Sequence, residues 1–254
     1  MSDSAVEAVI LAGGEIKGRP ERLKATMPFF GRALVQPVID ALSASSNVER
    51  SFVVMPEGES GALAGEFLLV PSDAASTFVD NIARGLSACT AGRALLVSCD
   101  VPYLTPEAVE DFLARCREIE ADVCYPVIRR EDIERAAPGS RRTYLRTLDG
   151  VLTGGNIALV KPAALLANLS LLEKVYHSRK SVWLLARTLG FGFLVKLAVG
   201  RLSIAEIEAR CSKLLGAEAR AVVTPFAEIG IDMDYETDLR QAEEGPPRTA
   251  GATR

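Results

Sequence analysis

Three stretches of the chain hold residues whose types and spacing suit chemistry on phosphates. The first is Val6–Leu34, VEAVILAGGEIKGRPERLKATMPFFGRAL, in which Gly13 and Gly14 are followed by Lys17, Arg19, Arg22 and Lys24. Paired glycines let a backbone turn sharply and approach a ligand closely. The N–H groups of such a turn, with cations beside them, make a cradle for phosphate. Taken alone, the spacing suits an ordinary strand-to-helix turn equally well. The second stretch is Leu95–Thr105, LLVSCDVPYLT, where Asp100 follows an apolar run. A carboxylate at a strand end either caps a turn or holds a divalent cation against phosphates. The third is Ile229–Leu239, IGIDMDYETDL, which carries Asp232 and Asp234.

These residues need a frame, and the apolar pattern supplies one. Ala5–Leu11 is short, apolar and β-branched, the pattern of a buried parallel strand. Helical spacing follows over Gly31–Ser46, and strands are predicted at Arg50–Met55 and Phe67–Pro71. A helix over Ser76–Ala88 and a strand over Arg93–Ser98 come next. Thr105-Pro106-Glu107 is a helix start, with an N-cap, a proline at the first helical position and an acid in the first turn. That helix is predicted to run to about Ile119, ahead of a strand at Ala121–Val127. Alternation of this kind predicts a doubly wound, mostly parallel sheet whose ligand lies beyond the carboxyl ends of the strands. Gly13-Gly14 and Asp100 both follow strands directly and are expected to meet there.

Beyond Val127 the pattern changes. Residues 128–150 are dense in charge and are expected to form an arm or hairpin that leaves the sheet. Thr153–Val160 returns to strand character, and Pro162–Leu172, Lys180–Leu189 and Leu202–Leu215 read as helices. A strand at Ala219–Thr224 follows, and Gly245–Arg254 is a low-complexity tail expected to be disordered. The expected organisation is one domain over 1–244, with 128–150 as the arm and 161–218 as an insertion on the acceptor side. Trp183–Ile204 is markedly apolar yet carries Arg187, Lys196, Arg201 and three glycines. A spanning helix needs about 20 residues with few charges. A buried helix followed by a strand is expected, with contact at a membrane surface as the rival reading.

Composition narrows the partners. The 33 acidic residues outnumber the 29 basic ones, which argues against a dedicated nucleic-acid binder and confines phosphate binding to the local cationic loop. The five cysteines show no C-x-x-C pair and read as reduced thiols of a cytoplasmic protein. Ser2–Ser4 is polar, and the apolar run behind it is too short for a secretory leader. Cys99, beside Asp100, fits a small core residue better than a nucleophile. The lone histidine, His177, fits a surface or packing position.

Together the stretches resemble the signature of the MobA-like nucleotidyltransferases, the superfamily that also holds the sugar-nucleotide pyrophosphorylases. The carriers are LAGG at Leu11, Ala12, Gly13 and Gly14, Arg19 five residues before Lys24, and KATMPFFGRALV at Lys24–Val35. The loop departs from the family: Arg19-Pro20-Glu21-Arg22-Leu23 stands where Arg-Met-Gly is usual, so Arg22 is the alternative arginine. The resemblance implies a Rossmann-like three-layer α/β sandwich and a nucleotide bound at LAGG, with Arg19 and Lys24 as catalytic cations. It implies Mg²⁺ on Asp100, whose surroundings match the family's "xxDxPxL" motif. It also implies Mg²⁺ on Asp234, which precedes the counterpart of the family's "TPED"; Asp232 is the other acidic candidate there. NIARGL at Asn81–Leu86 occupies the place of the family's "SVxxGL", which makes Asn81 a contact to the base. Gly154, Gly155 and Asn156 resemble the strand that lines the acceptor pocket in sugar nucleotidyltransferases.

These residues compose a mechanism. An acceptor phosphate oxygen attacks the α-phosphorus of a nucleoside triphosphate in line, and pyrophosphate leaves, driven by positioning and electrostatics with no covalent protein group. The acceptor is expected to be a phosphorylated small molecule, and a homodimer built through the charged arm is a further reading. Two rivals remain at this level: a glycosyltransferase reading Asp232-Met233-Asp234 as its Asp-x-Asp motif, and a non-catalytic nucleotide-binding module.

Overall fold

A computed structural model describes residues 5–17, 19–73, 75–140, 142–178 and 190–244. The predicted helix at Lys180–Leu189 and the predicted tail lie outside the described residues. β1 (Val6–Leu11) is the central strand, and all but its last residue are buried. It runs parallel to β6 (Val48–Pro56) on one side and to β8 (Ala94–Ser98) on the other. Its side chains alternate between two cores. Ala8 and Ile10 face α1 (Gln36–Ala44) and α3 (Pro106–Arg117), whereas Val9 faces α2 (Phe78–Ala88). Helices on both faces are why β1 reads as a continuous apolar run and not an alternating one.

β7 (Leu68–Ser72) extends the sheet beyond β6, giving the order β7-β6-β1-β8 with all four strands parallel. On the other side β12 (Ile157–Val160) runs antiparallel between β8 and β9 (Val123–Arg129). β11 (Gly150–Gly154) lies along the same edge of β9 as β12, so the two form one strand interrupted at Gly155-Asn156. β10 (Leu145–Thr147) pairs with β11, and β13 (Ala219–Thr224) pairs with β9 in parallel. The result is a mixed sheet of nine strands, mostly parallel at its core, between two helical layers. α2, α5 (Pro162–Ala167), α6 (Leu169–Ser178) and the helix Ile204–Leu215 form the layer opposite α1 and α3.

Several predicted boundaries shift for local reasons. The helix expected from Gly31 begins only at Gln36. Ahead of it, β4 (Pro28–Phe29) pairs with β5 (Arg32–Ala33) through a turn in which Phe30 (φ +47°) and Gly31 (φ +75°) both adopt left-handed backbone. Two successive positive-φ residues are what a tight two-residue hairpin requires. The charged stretch 128–150 does not leave the sheet. It completes β9, forms α4 (Arg130–Ala136) with Ile133 fully buried, and supplies β10. Most of its described charges lie on the outer faces of those elements, in pairs such as Arg130–Glu134 and Arg135–Asp132, and Arg142 turns inward instead. The apolar run at 183–204 does not give a buried helix and a strand over its described part. Phe191–Ala198 is a helix with no buried residue, and residues 199–203 are not strand. No helix among the described residues is long and apolar enough to cross a membrane.

Candidate active site

β1 and β8 end level, with Leu11 in register with Ser98. The glycine turn after one strand and Asp100 after the other therefore emerge side by side. Beyond Gly14 the chain makes a small antiparallel ribbon, β2 (Glu15–Ile16) against β3 (Arg19–Leu23), and returns Lys24 to the strand end. The Lys24 amide donates to the Gly14 carbonyl at 2.8 Å, which closes the loop. Lys24 is buried, and its Nζ lies 2.7 Å from Asp100 Oδ2 and 2.9 Å from Asp234 Oδ1. Asp100 is fixed from its other oxygen by the Ser98 hydroxyl at 2.5 Å.

The aspartates near the C-terminal helix arrive by alternation. In the extended segment 231–234, Ile231 and Met233 are buried in an apolar cluster with Ile16, Phe29 and Leu239. Asp232 and Asp234 consequently project to the opposite side, as period-two geometry dictates. The segment is clamped by backbone bonds: the Met233 amide donates to the Asp100 carbonyl at 2.9 Å, and the Lys17 amide to that of Asp234 at 3.2 Å. Asp100, Asp232 and Asp234 each bring a carboxylate oxygen within 4.8 Å of the others. Lys17 forms an ion pair with Asp234 and lies over the Tyr235 ring, and Arg142 forms one with Asp232.

These partners set the protonation. Burial pulls the Lys24 ammonium down, but the Asp100 and Asp234 carboxylates outweigh it and hold the lysine charged far above neutral pH. Burial raises Asp234, and bonds from Lys17 and Lys24 overcome this to leave it below the ordinary carboxylate range. Asp232 is raised, first by burial and then by the charges of Asp100 and Asp234, against the pull of Arg142. Three hard oxygen donors gathered so closely fit a Mg²⁺-type ion, which takes carboxylates and keeps waters.

The side of the site next to the glycine turn is built by α2. Thr77 and Asp80 form a reciprocal capping box at its start, with the Thr77 Oγ1 accepting from the Asp80 amide at 3.1 Å. This places Asn81, one residue on, against the glycine turn. A Cβ on Gly13 would lie 2.6 Å from Asn81 Nδ2, so only glycine leaves the amide room. Asn81 Oδ1 and Ser72 Oγ are both buried without a hydrogen-bond partner. Buried polar atoms of that kind cost free energy unless a ligand satisfies them. Leu11 and Ala12 serve the strand, the Ala12 amide donating to Val54 O at 2.9 Å, and Gly14 opens on free space.

The remaining expected residues are placed as follows. Gly154 and Gly155 are needed for packing: a Cβ on Gly154 would lie 2.6 Å from Tyr125 Oη, and one on Gly155 2.7 Å from Ile229 Cγ2. Asn156 Nδ2 contacts the Ile229 carbonyl at 3.4 Å. Asp234 does not cap the last helix, Glu236–Glu244. Asp238 reaches back instead, accepting from the Tyr235 amide at 2.8 Å and the Asp234 amide at 3.0 Å. Asp234 is thereby left free for the lysines. The Arg19 side chain lies outside the described residues, as do Arg179 and Lys180. Cys99 is buried in the core, with its thiol held protonated by burial, and His177 is exposed. Sequence reasoning missed Arg142, whose one signal was a basic pair inside a charged stretch. It also missed the orphaned Ser72 hydroxyl, which no pattern marks.

The fold and the site define a nucleotidyltransferase. A profile for the MobA-like NTP transferase domain matches residues 8–182, and the chain belongs to that family. Among solved structures it is similar to a hypothetical transferase from Thermus thermophilus, at 38% identity and a TM-score of 0.83, covering 92% of this chain and 99% of that one. More distant likenesses share the fold. A CMP:2-keto-3-deoxy-manno-octonic acid synthetase complexed with CTP has 15% identity, a TM-score of 0.59 and coverage of 95% and 98%. A 2-C-methyl-D-erythritol 4-phosphate cytidylyltransferase, also from Thermus thermophilus, has 17% identity, a TM-score of 0.56 and coverage of 94% and 98%. No curated protein matches.

Proposed function

We propose that the protein transfers a nucleoside monophosphate from a nucleoside triphosphate to a phosphorylated small molecule, releasing pyrophosphate in a Mg²⁺-dependent reaction. The observation that carries this reading is the carboxylate cluster of Asp100, Asp232 and Asp234 joined to buried Lys24 at the ends of β1 and β8. Those carboxylates would hold the ion, which when bound neutralises charge on the phosphates. The turn at Gly13-Gly14 receives the triphosphate, and Asn81 and Ser72 offer their unpartnered atoms to the base. Lys24, freed from one carboxylate as phosphate enters, offsets the charge that gathers on the leaving pyrophosphate; Arg19 is assigned the same task. An oxygen of the acceptor phosphate forms a bond to the α-phosphorus as the bridging α–β bond breaks, its electron pair leaving with pyrophosphate. That oxygen is already ionised near neutral pH, so no general base is required.

The two distant cytidylyl-transferring relatives make CTP the first triphosphate to try. The test is thermal stabilisation by ATP, CTP, GTP, UTP and a few nucleotide-sugars, each with Mg²⁺ and with EDTA, on wild type and Asp100→Ala. Ligand at about 100 times its Kd stabilises by roughly 2.7 kcal/mol. Stabilisation by one triphosphate, with Mg²⁺ only and lost in the variant, is the expected result. A response confined to nucleotide-sugars would move the assignment to glycosyl transfer.

A further inference from the structure

A cavity of about 300 Å³ lies between the helix Ile204–Leu215 and the strands β9, β11 and β13. Its lining is overwhelmingly apolar and includes Tyr125, Val127, Leu152, Gly154, Cys211 and Ala221. The helix that roofs it begins with a reciprocal Ser203–Glu206 cap and ends at left-handed Gly216, yet none of its residues is fully buried. The helix is tied to β13 by Ser212 and Glu208, which accept from the Ala219 amide at 2.9 Å and the Ala221 amide at 2.8 Å, and the space left between helix and sheet has room for something apolar. Ligand pockets are concave, apolar-lined spaces of about this size with a few polar groups at one end. Tyr125 shows the same thing from below: on a strand of the sheet it is still 44% exposed.

One end of the cavity meets the site. The Tyr125 hydroxyl donates to Gly155 O at 2.7 Å, and Arg142 donates to Gly154 O at 3.1 Å while its other terminal nitrogen holds Asp232. A cation therefore stands at the junction of an apolar chamber and the carboxylates. Arg142, next to cavity-lining Thr143, keeps only 10% of its side-chain surface exposed. We propose that the chamber takes the hydrocarbon body of the acceptor, and that the acceptor is a phosphate monoester of an aliphatic alcohol anchored by Arg142. The inference rests on the nucleotidyltransfer reading. Its product is a nucleoside diphosphate esterified to an alkyl chain, formed by the bond exchange already described.

Ethyl, butyl and octyl phosphate, below their micellar concentrations, are the probes, with octanol as the uncharged control. Calorimetric binding and pyrophosphate release are read beside the triphosphate thermal shift, on wild type, Ala221→Phe and Cys211→Phe. Those substitutions fill the chamber from the sheet side and the helix side. The expected result is affinity rising roughly tenfold or more from ethyl to octyl phosphate, octanol binding more weakly, and the rise lost in either variant with the triphosphate shift retained. Affinity flat with chain length on the wild type overturns the inference while triphosphate stabilisation leaves nucleotidyltransfer standing, and needs no folded variant. A rise that both filled variants keep, or octanol matching octyl phosphate, also overturns it. Silence from every triphosphate removes nucleotidyltransfer, and the acceptor role of the chamber with it.

Discussion

Gly13 and Asn81 touch: the amide of Asn81 occupies the space a side chain at Gly13 would need, 2.6 Å from its Cβ position. The first prediction follows from this contact. Gly13→Ala pushes the Asn81 amide away from the strand end and weakens triphosphate binding by roughly tenfold, the value of one or two hydrogen bonds. Asn81→Ala does the same and also flattens discrimination among bases. Titration calorimetry with each triphosphate and Mg²⁺ checks both, and unchanged affinities would remove Asn81 from the base site.

Gly85 is explained by packing alone. A Cβ there would be driven into Val9 Cγ1, so this glycine lets α2 press against β1. Gly85→Ala is expected to destabilise by about 1–3 kcal/mol, which lowers Tm by about 2–4 °C per kcal/mol in a chain of this size. Gly92, which opens on free space, is the control, and Gly92→Ala should melt with the wild type.

The lysines compete with any cation for the aspartates. Lys17 pairs with Asp234, and Lys24 with both Asp100 and Asp234. Lys17→Ala is therefore expected to tighten Mn²⁺ binding to the nucleotide-free protein, read by electron paramagnetic resonance. Asp100→Asn is expected to slow pyrophosphate release by roughly 10²–10³-fold, the scale of losing one preorganised charge-stabilising group. An Asp100→Asn protein with wild-type turnover would sink the assignment of the site.

Glu7 gives a pH prediction away from the site. Its carboxylate, almost fully buried beneath the turn before β8, accepts from the Thr90 amide at 2.5 Å and the Ala91 amide at 2.8 Å. Burial raises its pKa, and the bonds from Ala91 and Thr90 more than reverse this, leaving it below the ordinary carboxylate range. A carboxylate depressed on folding stabilises the fold above its unfolded pKa, and this stabilisation is lost as pH falls through the folded one. Denaturation midpoints of the wild type should drop on acidification below the ordinary glutamate range. Glu7→Gln should be weaker at neutral pH and flatter across that window.

The parallel half of the sheet was legible because its central strands are buried on both faces, and one of its helices opens on an explicit cap at Thr105. Asp100 and the pair Asp232 and Asp234 were legible as residues, since each sits at a strand end or in an alternating apolar segment. Their pairing partners were not. Lys17, Ser98 and Arg142 reach the site through tertiary placement, and Arg142 had looked like one charge among many. The 128–150 stretch misled for the same reason: its charges mark the exposed sides of elements whose buried residues, such as Ile128 and Ile133, are few. Gly154 and Gly155 resembled an acceptor-pocket strand; the close packing that also requires them, against Tyr125 and Ile229, was not legible.

Lys24 and Asp234 stand 210 positions apart in the chain and meet at 2.9 Å. During synthesis the glycine turn, its lysines and the β1–β8 frame leave the ribosome long before the segment that carries Asp232 and Asp234. A domain generally folds as a unit, so the early parts await the late one. The carboxylate cluster therefore closes only when the segment carrying Asp232 and Asp234 docks on Asp100 and Lys17. A chain cut before Asp232 would keep the glycine turn and Asp100 but lack two of the three clustered carboxylates.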